Sequence, residues 1–393
     1  MVTPFTLTNL LKAYIKCRQN KRQTVNAIKF EINSEKNLLR LVCKLKDRTY
    51  SPGKSICFVV TYPKVREIFA ADFADRIIHH LLVNEIEPIF EKHFIYDSFA
   101  CRTDKGTLKG VIRLRHFINK ITVNKRQPAY FAQLDIKSFF PSLDKNILYR
   151  ILKTTVEKTK KSTIWKEEVL WLAKNIIFHD PTHNYHFKGN PYLKKLVPIQ
   201  KSLFGQPPNV GLPIGNLTSQ FFANVYLNEL DQFVKRELKI RYYLRYVDDI
   251  VLLSQDPTIL KEWTRKIEDF LKTTLKLTLH PDKKHFGSVD QGIDFLGYVI
   301  FPYYTLCRRR VVANCKSKIH RFNKELEDSP FVDKKFRLRM QSTLNSYYGH
   351  FRHGNCFRLR INLYNKRLQK IKEILTPVDN CQKFVLKEKF KSD

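Results

Sequence analysis

The sequence predicts an α+β fold, and three observations carry that prediction. Short apolar runs that end or turn at aspartates, Ala129 to Ile136 and Tyr242 to Ser254, read as strands. Longer segments place apolar residues at helical spacing. The stretch 302–393 reads as three amphipathic helices and holds 22 Lys or Arg against 8 Asp or Glu. Across all 393 residues, 71 Lys and Arg face 37 Asp and Glu, a formal charge of +34 at pH 7. With 43% hydrophobic residues the chain is no disordered basic tail, and its length suggests two or three domains with a large core. A charge of that size answers a polyanion, either nucleic acid or an anionic membrane. No apolar run approaches the ~18 residues that a membrane span needs. Lys12 interrupts the one signal-like stretch near the N-terminus. Nucleic acid is therefore the expected partner, with no membrane, and the cytoplasm the expected location.

In chain order, Leu10, Leu11, Tyr14 and Ile15 mark a first helix, and Ile56 to Val60 a short strand. Residues 66–92 read as helical, with Ile68, Phe73, Ile77, Ile78, Leu81, Leu82 and Ile86 in phase. A helix is expected from about Thr218 to Leu238, with Phe221, Val225, Leu230, Phe233 and Val234 inward. Asp256-Pro257 is a strong helix start, an N-cap acceptor followed by proline in the first turn. Ile293 to Phe301 reads as a further strand. The terminal helices should finish near Leu375 and leave a short basic tail. That short tail is expected to leave no room for a further catalytic domain. Eight scattered cysteines without a CxxC pair read as reduced, mostly buried thiols. His179, His183 and His186 have no thiolate or carboxylate spaced to complete a zinc site, so they read as ordinary loop histidines. The insertion from Trp165 to Gln206 carries no assignable role.

The chemistry is concentrated in aspartates. Tyr246-Val247-Asp248-Asp249 lies between two apolar runs, so two carboxylates sit at the tip of a hairpin. A solvated turn explains such a pair equally well, because Asp is a common turn residue. Asp135 shifts the balance, since it stands inside the apolar strand Gln133-Leu134-Asp135-Ile136, where an unpaired charge is costly. Carboxylates gathered from separate strands call for a hard divalent cation with oxygen ligands, Mg²⁺. A pair of such ions serves nucleotidyl transfer, one at the attacking 3′ hydroxyl and one at the leaving pyrophosphate.

Around these aspartates stand seven ordered blocks, and together they resemble the reverse transcriptases. YVDD resembles the family's catalytic turn. Arg66 through Arg76 looks like the first fingers block, and Ser98 to Gly106 (SFACRTDKG) the second. Asp135 to Phe140 (DIKSFF) matches the first palm aspartate block, and Gly211 to Gln220 (GLPIGNLTSQ) the block under the nascent base pair. Leu279 to Lys284 (LHPDKK) and Phe295 to Tyr298 (FLGY) resemble the triphosphate-lysine and primer-grip blocks. The resemblance spans roughly residues 50–350.

It implies a right-hand polymerase: N-terminal helices and fingers over 1–128, palm over 129–301 with 153–210 lent to the fingers, and a helical thumb over 302–376. Residues 377–393 remain as tail. It implies Asp135, Asp248 and Asp249 as catalytic, and Asp135, Ile136, Asp248 and Asp249 as holders of two magnesium ions, for which Mn²⁺ can substitute. Arg102, Lys105, Phe139, Phe140, Ile214, Gly215, Gln220 and Lys283 fall at deoxynucleotide-binding positions. Phe140 is placed as the steric gate against a 2′ hydroxyl, although Phe139 and Phe140 can each be core. Phe295, Leu296, Gly297 and Tyr298 fall at the primer grip.

One departure narrows the resemblance. Most reverse transcriptases have glutamine before the glycine and proline after the serine of the fourth block. Here stand Ile214-Gly215 and Ser219-Gln220. IGNLTSQ, with Phe58 to Leu82, is similar to the diversity-generating retroelement reverse transcriptases. That similarity implies copying of a template-repeat RNA into cDNA with errors opposite adenines, and a small basic accessory variability protein, a homopentameric helical bundle, as partner. A retron, group II intron-like or abortive-infection polymerase is the alternative within the class. A catalytically silent RNA-binding scaffold, using only the charge and the 13% aromatic content, is the alternative outside it.

Overall fold

The computed structural model describes residues 3–19, 24–329 and 332–390, and it has the expected α+β architecture. Among the described residues twelve strands follow one another as β1 (Ser55–Val60), β2 (Arg66–Ala70), β3 (Tyr130–Ile136), β4 (Tyr185–Phe187), β5 (Tyr243–Tyr246) and β6 (Asp249–Ser254), then β7 (Leu279–Ser288), β8 (Ile293–Phe295), β9 (Tyr298–Ile300), β10 (Thr305–Cys307), β11 (Leu375–Val378) and β12 (Lys383–Leu386). A four-stranded sheet has the order β5-β6-β3-β7, a three-stranded sheet β2-β1-β4, a second β10-β9-β8, and β11-β12 form a hairpin. The chain divides into two compact units, 1–104 with 133–252 and 261–285, and 105–132 with 253–260 and 286–393.

In the first unit, the reading of 66–92 as one helix needs correction. Residues 66–70 are β2, paired antiparallel with β1 from Ile56↔Ala70 to Val60↔Arg66. Its alternating Glu67, Phe69 and Ile68 fit a strand as well as a helix, and pairing decides between them. The helix Phe73–Phe90 begins only where Asp72 caps it, accepting from the Ala74 N–H at 3.4 Å. Ile77, Ile78, Leu81, Leu82 and Ile86 form its buried face. The helix Leu217–Gln232 is buried nearly all round and ends in a π-helical turn, Phe233–Glu237. Asp144 caps the helix Lys145–Glu157, accepting from the N–H groups of Asn146 and Ile147 at 2.9 and 3.1 Å.

In the second unit, the expected strand Ile293 to Phe301 is two strands, β8 and β9, because Leu296 and Gly297 both take positive φ and reverse the chain. The three amphipathic helices are present as Arg309–Asp328, Lys334–Phe351 and Phe357–Arg367. The expected tail is instead folded through residue 390, with β12, the hairpin partner of β11, packed on the middle helix. Asn345 clamps it: its amide donates to the Phe384 carbonyl at 3.0 Å and accepts from the Phe384 N–H at 2.7 Å. The Phe384 ring meets Tyr348 edge-on at 4.7 Å. Asn345→Ala removes both bonds from a part-buried strand, so a loss of about 1–3 kcal/mol is expected, read as a lowered thermal midpoint. All eight cysteines are free, six of them buried. Among the described residues no helix is long and apolar enough to cross a membrane.

Candidate active site

The site is assembled within the first unit at one end of β3, β5, β6 and β7. Tyr246 and Asp249 pair across β5 and β6, which leaves Val247 and Asp248 as the two turn residues. Val247 takes φ +53°, a left-handed conformation that a β-branched side chain resists. The structure holds it there from beneath. Arg245, fully buried, donates from its guanidinium to the Val247 carbonyl at 3.0 Å. The same guanidinium grips Asp231 with two bonds, 2.8 Å to Oδ1 and 2.6 Å to Oδ2, and reaches Ser98 Oγ at 3.2 Å and Asn224 Oδ1 at 3.3 Å. Tyr243 adds a hydroxyl bond of 2.6 Å to Asp231. The Arg245 main chain is tied as well, donating to Asp97 and accepting from Phe99, each at 3.0 Å. A strained turn persists only when its surroundings over-determine it, and this network does so.

Sequence reasoning missed Arg245 and Asp231. The available signal was a charge of each sign inside an apolar run, Leu244-Arg245-Tyr246 and Leu230-Asp231. Buried charges need partners, but spacing alone does not say that these two meet.

Asp135, Asp248 and Asp249 come together electrostatically. Burial, then Asp249, then Asp135, push the Asp248 carboxyl up to about 7, with Lys283 opposing. Lys283, brought in by β7, forms an ion pair with Asp135 Oδ2. The lysine expected at the triphosphate thus neutralises Asp135 in this structure. Ile136 has a hydrocarbon side chain, so only its main-chain carbonyl can offer oxygen. Among the described residues no three His, Cys, Asp or Glu side chains are already grouped to hold a metal ion. The donor chemistry nevertheless fits a hard cation: all-oxygen carboxylates, with burial first and mutual repulsion second disfavouring ionisation of Asp248.

The nucleotide-side residues divide. Phe139 is 3% exposed and belongs to the core, which removes it from the substrate-facing set. Phe140 is half-buried, its ring against Phe139 and its carbonyl accepting from Leu212 at 2.9 Å. Ile214 is half-buried as well, and its carbonyl accepts from the Phe69 N–H at 2.9 Å. Gly215 has φ +126°, and a Cβ there would lie 2.8 Å from Ile68 Cγ2 and 3.0 Å from the Phe69 carbonyl. Only glycine lets this turn approach β2 so closely. Gln220 is exposed in the first turn of its helix.

Arg102 departs from expectation. It makes bidentate contact with Glu91, from 2.7 Å, and donates to the carbonyls of Ile95 at 2.7 Å and Ser98 at 2.9 Å. With its side chain 6% exposed, it braces its own loop rather than a phosphate. Lys105 opens the second unit. There, Phe295 and Tyr298 are buried, Tyr298 stacking on His350 at 4.2 Å, so the β8–β9 tip presents Leu296 and Gly297.

The four-stranded sheet carries Asp135 on β3 and two aspartates at the strained turn of the antiparallel β5–β6 pair, the arrangement that the sequence leads one to expect of a polymerase. Residues 61–300 match the family described as reverse transcriptase (RNA-dependent DNA polymerase), and the chain belongs to that family. It is 21% identical over 284 residues to the putative COX1/OXI3 intron 2 protein of Saccharomyces cerevisiae, covering 63% of this chain and 32% of the relative. It is 25% identical over 218 residues to the group II intron-encoded protein LtrA of Lactococcus lactis subsp. cremoris, covering 53% and 30%. The chain thus spans about a third of the length of these two curated relatives. Among solved structures, apo telomerase from Candida tropicalis is similar at a TM-score of 0.49 and 13% identity, covering 76% of this chain and 52% of that one.

Proposed function

We propose that this chain is an RNA-directed DNA polymerase of the diversity-generating type. It would extend a primer along a template-repeat RNA from deoxynucleoside triphosphates and misincorporate opposite adenines. The proposed assignment includes two magnesium ions, held by Asp135, Asp248, Asp249 and the Ile136 carbonyl. Such ions supply charge neutralisation and a more acidic 3′ hydroxyl. Lys283 exchanges Asp135 for the triphosphate as substrate enters. Arg245 keeps the carboxylate turn in one position throughout. Phe140 closes the sugar side of the site, and Phe140→Ala is expected to raise ribonucleotide incorporation by about tenfold or more, measured by alkaline cleavage of the product. The basic accessory variability protein is the proposed protein partner.

The observation that carries the subtype is Ile214. Its main chain is fixed by Phe69 while its side chain offers shape and no hydrogen bond. Sites built on hydrogen bonds reject mispairs more sharply than apolar ones. Ile214→Gln is expected to lower misincorporation opposite template adenine several-fold and leave other template bases nearly unchanged. Sequencing of cDNA from wild type and variant on one RNA checks this, and an unchanged error spectrum removes Ile214 from the account. The intron-encoded names of the relatives favour a second reading, a group II intron-like enzyme. An imperfect repeat near the gene, differing at adenines, supports the first reading; flanking intron RNA structure supports the second.

A further inference from the structure

The segment from His183 to Gln206 has a surface chemistry of its own. It contains Lys188, Lys194, Lys195 and Lys201 and no Asp or Glu. It is firmly placed: β4 pairs in parallel with β1 from Ser55↔Tyr185 to Cys57↔Phe187, and Glu67 accepts from Ser202 Oγ at 2.8 Å and the Leu203 N–H at 3.0 Å. At its centre the Lys194 ammonium lies 4.6 Å from the ring centroids of Tyr185 and Phe187 and 5.2 Å from that of Phe204. It also donates to the Tyr185 hydroxyl at 2.8 Å. Large apolar groups of the segment also face solvent, the Phe204 ring of this cluster among them. Tyr192 is 72% exposed, with Lys195 over its ring at 5.5 Å, and Ile199 and Phe204 are 63% and 42% exposed.

Exposed rings cost solvation free energy unless something covers them. The covering partner must be anionic, because every charge on the segment is positive, and it must offer flat apolar faces. A nucleic-acid duplex offers phosphates but keeps its bases stacked inside. Single-stranded RNA offers both, and stacking of one base on an aromatic side chain is worth about 1–3 kcal/mol. We propose that residues 183–206 form a binding surface for single-stranded RNA, outside the carboxylate site, on which Tyr192 and Phe204 stack bases and Lys188, Lys195 and Lys201 hold phosphates. This goes beyond the proposed function, since it requires neither catalysis nor the diversity-generating role.

The test uses the full chain and two fluorescent probes, a 20-nucleotide single-stranded RNA and a blunt RNA/DNA hybrid of the same length. Tyr192→Ala/Lys195→Gln is expected to weaken single-strand binding by about tenfold, the size of a lost stack and a lost phosphate contact. Hybrid binding should change less than about twofold on the same grounds. Tyr192→Phe with Lys195 intact should bind like wild type, and Lys188→Gln/Lys201→Gln should flatten the salt dependence for the single strand. Unchanged single-strand affinity in both double variants overturns the proposal and leaves the surface to a protein partner. Equal losses on both probes overturn it too. Primer extension on a template with a two-nucleotide overhang should be unaffected in every variant. Failure of that enzymatic control in wild type would count against the polymerase assignment, not against this surface.

Discussion

Asp248→Asn is expected to lower primer extension by roughly 10³-fold or more, on the scale of losing an electrostatic group aimed at developing charge. The same substitution is expected to stabilise the metal-free protein near pH 8. The Asp248 carboxyl is pushed up to about 7 by burial and by Asp249 and Asp135, whereas an unfolded aspartate titrates near 4. Between those values the folded state binds the extra proton, so folding stability falls as pH rises from about 4 to about 7 and stays reduced above. The cost reaches on the order of 4 kcal/mol at one pKa unit per 1.36 kcal/mol. Asparagine cannot ionise, so the thermal midpoint of the metal-free variant should exceed that of wild type at pH 8 and converge on it near pH 4. Added Mg²⁺ should raise the wild-type midpoint more at pH 8 than at pH 5.5 and leave the variant much less affected. A variant that extends primers like wild type, or a midpoint difference independent of pH, contradicts this account. The wild-type site is then unstable without its counter-charge, a familiar exchange of stability for activity.

The second large effect lies beneath the turn. Arg245→Met leaves Asp231 buried without its cation, and Asp231→Leu leaves Arg245 buried without its anion. Each single variant is expected to lose about 3–5 kcal/mol, because an uncompensated buried charge is worse than none. The double variant Asp231→Leu/Arg245→Met should recover most of that stability, since apolar side chains can fill the space of a buried pair at little net cost. Activity should not recover with it. The double variant still lacks the donor to the Val247 carbonyl, so the left-handed turn carrying Asp248 loses its support. Denaturant midpoints and primer extension measured on the same three preparations separate the two roles. If the double variant regains both stability and activity, Arg245 is only a packing residue.

Much of the aspartate-bearing strand pattern is legible in the sequence because strand chemistry is local. Apolar runs broken by Asp135 and by Asp248-Asp249 mark β3, β5 and β6 where they are found. Gly215 reports a backbone need, a φ of +126° under the Ile68 and Phe69 main chain, that no other residue meets without strain. The helix start at Asp256-Pro257 is equally local. The errors lie where local patterns are degenerate. Residues 66–70 satisfy helical and strand periodicity alike, and hydrogen bonding to β1 resolves them. Residues 377–390 look like part of a basic tail because their burial depends on Asn345, Gln341 and Tyr348, thirty or more residues away.

The sequence by itself determined that this protein is an α+β, strongly basic member of the reverse transcriptase family, with carboxylates at fixed places on its strands. Those properties rest on charge, periodicity and motif order, which are additive along the chain. Only the tertiary structure decided which partner each charge has. Lys283 stands on Asp135, Arg102 on Glu91 and Arg245 on Asp231. Such pairings depend on distances of a few ångströms between residues up to 148 positions apart, and Coulomb energy and burial act through space rather than along the sequence.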